Sequence, residues 1–337
     1  MVGKEYPEQI VRQISQCGWV VAQGVFPQMS LHTSLASLQD IGRVRVMPAP
    51  DIFDRRAVRN HKARAAHTFQ KISPILNAAT DILLERLDDI TRPLSSALDL
   101  GGQGTVASLL EKRGMTVVSC QETLPASQQA AHPNVCVNYE HLPFAQHSFD
   151  LVVANLSLHW INDLPGTFSQ IRHILRPDGL FLASIPILPT LRPLKHALEM
   201  AELALCDGVS PRVSPLPTQQ SCAQLLQRTG FALPVVDTEK LDLRYRSLTG
   251  LLQDLRAAGE TNALTLRSKT TPPRMLFPAA AAELETDPDG TFAMPLHIAI
   301  LTAWSPSPDQ PHPLKPGQFT HSLATALTDA PSPKNNV

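Results

Sequence analysis

Apolar positions change period several times along this 337-residue chain. ILNAATDILLERLDDI repeats them at three and four, which predicts a helix over 75–90. SSALDL, TVVSC, VCVNY and LFLASI are short apolar runs bounded by turn residues and read as strands. FDLVVANLSL is longer and predicts a buried central strand with its exit loop. VASLLEKRG and LPGTFSQIRHIL have helical spacing, and the second stops at RPDG, where Pro177 and Gly179 turn the chain. RPLKHALEMAELAL and SCAQLLQRTGF continue as helices, PVVDTEKLDL as a strand, and LTGLLQDLRAAGETNAL as mostly helix. PLHIAILTAWS is a last apolar strand. Strands alternating with helices predict a parallel sheet covered on both faces.

The two ends differ from this core. Residues 1–50 read as an N-terminal extension, with one amphipathic helix in IVRQISQCGWVVAQGVF and an extended linker in RVRVMPAP, where Pro48 and Pro50 disfavour helix. Residues 305–337 are rich in Pro, Ser, Thr and His without periodicity and read as a disordered tail. Between them, DIFDRRAVRNHKARAAHTF is a basic segment with helical spacing. It reads either as a solvated helix face or as a lid or partner-docking helix.

Composition narrows the function classes. Net charge is −1, so no basic excess marks a nucleic-acid or membrane-surface binder. No apolar run reaches the ~18 residues of a membrane-spanning helix. The start, MVGKEYPEQIVRQISQ, lacks the basic-then-apolar order of a secretory signal. The five cysteines include no CxxC pair. The histidines show no HEXXH spacing, so no metal site is expected, and no GxSxG elbow marks a hydrolase.

The chemistry concentrates at strand ends. LDLGGQGT follows the first parallel strand, where a glycine turn lets a nucleotide-like ligand approach the main chain. It matches neither GxGxxG nor a P-loop, and fits better the looser D-x-G-x-G-x-G turn of S-adenosylmethionine (SAM) enzymes. Asp99 and Gly101 are in place, with Gly102 and Gly104 beside them, while Gln103 and Thr105 stand where further glycines belong. The second strand ends at Gln121 and Glu122, where an acid would take ribose hydroxyls, and Gln121 brings no charge assistance. Asn138 holds the adenine-side position of the third strand, with Glu140 and His141 following. The fourth strand opens into Asn155, Leu156, His159, Trp160 and Asp163 at the sheet's carboxyl edge. His159 suits a general base, and Trp160 is more often packing than a substrate contact.

These motifs resemble the class I SAM-dependent methyltransferases, most closely mitochondrial complex I assembly factor 5 and its bacterial relatives. IFDRRAVRNHKARAA is similar to that family's opening segment. LPFAQHSFDLVVANLSLHWINDLPGTFSQIRHILRPDGLF is similar to its central signature. SPRVSPLPT, DLRAAGETNAL and PLHIAILTAW follow in the family's order. The resemblance covers residues 51–304. It implies a Rossmann-like seven-stranded α/β domain with a helical insertion near 247–294 and SAM as cofactor. SAM would lie over Asp99, Gly101, Gly102 and Gly104, with its ribose near Gln121 and Glu122 and its adenine near Glu140 and His141. Asn155 and Leu156 would complete the cofactor wall, and His159 and Trp160 would face the reacting centre. Asp163, Glu260 and Asn262 would lie on the substrate side. The implied substrate is a protein such as a respiratory complex I subunit, methylated or hydroxylated on arginine, in bacterial cytoplasm or the mitochondrial matrix. Where the family carries LDLGCGxG this chain carries LDLGGQGT, and the family's acids are replaced at Gln121 and Asn138. Two alternatives stay beside the enzyme: a binding or assembly protein that keeps the fold, and a malonyl-acyl carrier protein methyltransferase, whose signature ANLSLHW also resembles.

Overall fold

A computed structural model describes residues 51–102, 105–123, 134–206 and 208–310. The N-terminal extension, Gln103, Gly104 and the tail beyond 310 lie outside the described residues.

Seven strands form one sheet in the order β3-β2-β1-β4-β5-β9-β6. They are β1 (Ser96–Leu100), β2 (Thr116–Gln121), β3 (Asn134–Cys136), β4 (Phe149–Asn155), β5 (Leu175–Pro186), β6 (Ala232–Leu241) and β9 (Leu296–Trp304). The first five run parallel, and β9 inserts antiparallel between β5 and β6. Strands β1, β2 and β4 therefore end side by side at one edge, and strand order reverses there between β1 and β4, the place where open sheets receive ligands.

The helices α1 (Arg55–Ala65), α2 (Ser73–Asp88), α3 (Thr105–Lys112), α4 (Leu164–Ile174), α5 (Arg192–Leu205) and α6 (Gln219–Arg228) cover the sheet and its edge. Residues of the central strands alternate between two apolar layers. Leu98, Leu100 and Val152 pack with Phe168 and Ile171 of α4, whereas Ala97, Leu151 and Val153 pack with Leu83 of α2 and Leu110 of α3. Both faces are thus buried, which is why β4 reads as a continuous apolar run rather than an alternating one.

The insertion near 247–294 is built of α7 (Leu248–Ala258), α8 (Leu276–Ala282) and a short β7–β8 pair, Arg244–Tyr245 with Phe292–Ala293. Leu248, Leu251, Leu276, Ala280 and Phe292 pack there against Leu194 and Leu198 of α5. The sequence predicts helix through GETNAL, but α7 stops at Ala258. Gly259 takes φ +77 as a left-handed cap, a conformation nearly free of cost to glycine alone. That stop releases Glu260 from the helix and turns it toward the sheet edge.

Two other boundaries move. The third strand closes at Cys136 rather than running through Tyr139, because Asn138 and His141 pair in an isolated bridge. Ser305, expected to open the tail, is buried, and its backbone bonds Gly179 and Asp178. The order of the sheet edge therefore extends to Gln310, whose amide donates to Asp178 at 2.8 Å.

Candidate cofactor and acceptor site

The β1 turn is set by its own aspartate. Asp99 is fully buried, and its carboxylate accepts the Gly102 N–H at 2.9 Å and the Ser119 hydroxyl at 3.2 Å. Gly101 follows at φ +82, and a Cβ there would lie 2.6 Å from Cβ of Ser157 and 2.7 Å from the Tyr139 oxygen. A Cβ on Gly102 would run into the Asp99 carboxylate. Both glycines are required by space, and at Gly101 by backbone conformation as well. Tyr139 and Ser157 brace the turn from either side: the phenol donates to the Cys120 carbonyl at 3.2 Å, and the Ser157 hydroxyl donates to the Leu100 carbonyl at 2.5 Å. Thr105 begins α3, with its N–H on the Gly102 carbonyl at 3.1 Å.

At the end of β2 the two candidate ribose residues part company. Gln121 is buried and lines the cavity, and its amide nitrogen has no hydrogen-bond partner among the described residues. Thr123 Oγ1 shares that condition. A buried polar group without a partner costs about 1–3 kcal/mol, and both residues line the cavity. Glu122 is instead engaged with α1: one oxygen pairs with Arg55 Nη2 and the other with Lys62 Nζ at 2.8 Å. Burial pushes its carboxyl up, but Lys62 and Arg55 outweigh burial and leave it below the usual range. The basic segment is therefore divided: Arg55 and Lys62 turn inward, while Arg56, Arg59 and Arg64 are exposed on the solvated face. Arg55 and Lys62, seven residues apart on one side of α1, close over the sheet edge.

Arg55 extends this hold. Its Nη1 donates to the Trp160 carbonyl at 2.8 Å, and its Nε lies 3.7 Å from Glu140. Just before α1, Phe53 exchanges two hydrogen bonds with the Asn162 side chain, and Asp54 N–H donates to the Ala263 carbonyl. Sequence reasoning missed Arg55, Lys62, Tyr139, Ser157 and Thr123. The i, i+7 spacing of Arg55 and Lys62 is the one signal that pointed to the first pair.

Glu140 and His141 stand off the cavity wall. Glu140 accepts the Asn162 N–H at 2.8 Å, and His141 is exposed, with its own N–H on the Asn138 carbonyl. Asn155 is buried, but its side chain is spent on the frame: the amide donates to Thr80 and to the Leu76 carbonyl, and the oxygen accepts from Ser184. Both Asn155 and Leu156 line the cavity. Leu156 adopts a left-handed backbone. Its φ is +49, held by N–H bonds to Ser184 Oγ and carbonyl oxygen, at a cost of about 1–2 kcal/mol for a non-glycine residue.

Across the cavity, one carboxylate oxygen of Glu260 accepts both the Trp160 indole N–H and a ring nitrogen of His159, each at 2.8 Å. The His159 side chain is 4% exposed and that of Glu260 26%. Burial alone would raise the Glu260 carboxyl, but His159, then Lys62 and Trp160, bring it below its ordinary value. Asn262 also lines the cavity, with its amide on the Pro211 carbonyl at 2.8 Å. Asp163 does not: it is exposed and caps α4 by accepting the Gly166 N–H at 2.8 Å.

The cavity holds about 340 Å³, within the usual span of small-molecule sites. One end is polar, at Gly101, Gln121, Thr123 and Ser157. The other is apolar, under the insertion, at Leu194, Leu198, Leu251 and Phe277. Trp160 closes the wall between them and packs edge-on to Phe53, with ring centroids 5.1 Å apart.

Comparison with known proteins agrees with this architecture. A family described as "Methyltransferase domain" matches residues 98–183. The human arginine-hydroxylase NDUFAF5, mitochondrial, is 33% identical over 284 residues, covering 81% of this chain and 82% of the relative. The malonyl-[acyl-carrier protein] O-methyltransferase of Xylella fastidiosa (strain M23) is 33% identical over 270 residues, covering 76% and 90%. Among solved structures, the YcgJ protein of Bacillus subtilis is 12% identical, with a TM-score of 0.48, over 68% of this chain and 99% of that one. The chain belongs to the class I SAM-dependent methyltransferase family. S-adenosylmethionine is the cofactor that membership implies, and the turn fits it: Gly101 lines the cavity where a Cβ would meet Ser157 and Tyr139, and the side-chain donors of Gln121 and Thr123 have no partner among the described residues.

Proposed function

We propose that the protein is a SAM-dependent enzyme that modifies a protein substrate, with cofactor and acceptor meeting in this one cavity. The observation that carries the reading is the Gly101 turn with the Gln121 amide on the same cavity wall, without a partner among the described residues. Bound SAM supplies an electrophilic methyl group. Asp99 fixes the turn, Gly101 and Gly102 admit the ligand to the main chain, and the Gln121 amide and Thr123 hydroxyl donate to ribose oxygens. A neutral amide replaces the acid usual there, so the contact is a weaker, uncharged one. Leu156 and Ser157 form the opposite wall, and Trp160 with Phe53 shuts out water, so positioning and desolvation carry the rate.

The relatives suggest the acceptor. NDUFAF5 proteins covered to more than four-fifths of their length favour a respiratory complex I subunit, with arginine as the modified residue. The protein then works in a bacterial cytoplasm or the mitochondrial matrix. The Xylella fastidiosa relative favours a second reading, methylation of a malonyl thioester on acyl carrier protein. Mass spectrometry of complex I subunits and of malonyl-acyl carrier protein, each incubated with enzyme and SAM, separates them. An added methyl group on a subunit arginine supports the first reading. Methylation of malonyl-acyl carrier protein alone overturns it in favour of the second, and no modification of either overturns both.

A further inference from the structure

The cavity wall carries one carboxylate, Glu260, that two neighbouring side chains hold in place. Glu260 leaves α7 at its glycine stop and lines the cavity. Its Oε2 takes two hydrogen bonds, from His159 and from Trp160, both at 2.8 Å. An ionised carboxylate only accepts, so the His159 nitrogen on it must carry the hydrogen. The histidine is 4% exposed, and its other ring nitrogen is buried with no partner among the described residues. His159, Trp160 and Glu260 all line the cavity, as does Lys62, whose charge also acts on Glu260.

The remaining charges on the wall are mostly committed elsewhere. Lys62 answers Glu122 at 2.8 Å. Arg212 is held by the buried Glu202, through Nε at 2.8 Å and Nη2 at 2.5 Å. Asp254 hydrogen-bonds Tyr245, and Arg256 is exposed at the rim. Glu260 is thus a negative charge held in fixed orientation on this wall; Asp254 is a second carboxylate, hydrogen-bonded to the Tyr245 phenol. The two donors to Glu260 hold its orientation, which lowers the ordering cost of a new contact.

We infer that Glu260 is the specificity residue of the acceptor site. It receives a cationic nitrogen group, the guanidinium of arginine or the ammonium of lysine, while His159 is a positioning residue that acts through it. The inference rests on the proposal that the acceptor enters this cavity, and it deepens that proposal by naming the residue that reads the acceptor's charge. A free carboxylate, as on a malonyl group, would meet like charge at Glu260.

The Trp160 indole N–H is a built-in reporter, because it sits on the same oxygen. In full-length protein containing only three tryptophans, its resonance is assigned by substituting the other two, Trp19 and Trp304. The probes are acetyl-Gly-Arg-Gly-amide, its lysine and citrulline counterparts, and malonate, each at millimolar concentration with S-adenosylhomocysteine present. The arginine or the lysine peptide should shift the indole resonance saturably, and which one does so identifies the cation. E260Q should weaken that response at least about tenfold, as loss of a charge-assisted bond requires, and E260D should restore part of it. Citrulline, equal in shape but uncharged, should bind at least about tenfold more weakly. H159N should narrow the arginine-over-citrulline preference with S-adenosylhomocysteine affinity unchanged; an unchanged preference overturns the positioning role. Equal binding of citrulline, a malonate response, or no response to either cation overturns the assignment of Glu260. Calorimetry with S-adenosylhomocysteine on the same sample reports the cofactor reading separately. A peptide response without cofactor binding sinks that reading alone, and cofactor binding without a peptide response sinks this one.

Discussion

Lys62 Nζ lies 2.8 Å from a carboxylate oxygen of Glu122, a residue whose side chain is 2% exposed. The contact joins the N-terminal helix of the domain to the second strand of the sheet, sixty residues apart. Arg55 takes the other oxygen. A single carboxylate thus anchors α1 over the edge where the cofactor turn sits.

Removing one partner of a buried pair leaves uncompensated charge. E122Q should therefore destabilise the protein by about 3 kcal/mol, read as a shifted midpoint in urea unfolding. Amide exchange in α1 should accelerate more than in α2. A variant as stable as the parent, with α1 equally protected, would show that the helix is held by apolar packing alone.

The same carboxylates set the acid limit of stability. Glu122 and Glu260 sit below their ordinary values, with burial overcome by Lys62 and Arg55 in one case and by His159 in the other. Asp150 is depressed too: burial raises it, but Ser95 and Arg176 bring it far down. A depressed carboxyl contributes stability above its unfolded value, near 4, and loses it as pH falls through the folded one. Unfolding free energy should therefore fall as pH drops below about 4. D150N should flatten that slope, and an unchanged slope would contradict the assignment for Asp150.

Gly101 combines φ +82 with contacts that exclude a Cβ. G101A should weaken S-adenosylhomocysteine binding at least about tenfold, because left-handed strain of about 1–2 kcal/mol adds to displacement of Ser157 or Tyr139. Calorimetry on variant protein of unchanged circular dichroism measures it, and parental affinity would show that the ligand does not approach this turn.

Asp163 closes the first turn of α4 from an exposed position. D163A should cost about 1 kcal/mol of stability, the ordinary worth of a helix cap, without altering cofactor affinity. A large loss of affinity at unchanged stability would place Asp163 in the site after all.

Much of the sheet was legible because its strands are buried on both faces and separated by strong turns. LDLGG, VVSCQE and FDLVVAN each end where a parallel strand must, so Asp99, Gln121 and Leu156 were found together. The long-range contacts were not legible. Nothing local tells Glu122 that Arg55 and Lys62 will claim it, or Asn155 that Thr80 and Ser184 will use its amide. The family motif predicted Glu260 on the substrate side, but only the fold brings it onto His159 and Trp160, a hundred residues earlier. Helix spacing ran on through GETNAL because Gly259 ends α7 by conformation, which periodicity does not register.

The most direct test of the account is calorimetric titration of the full-length protein and Q121L with S-adenosylhomocysteine. The account predicts micromolar binding to the parent, on the order of −8 kcal/mol, and weaker binding to Q121L by about 1 kcal/mol for the lost amide contact. No heat of binding from properly folded parent protein would contradict it, and would leave a methyltransferase fold whose cavity serves another ligand.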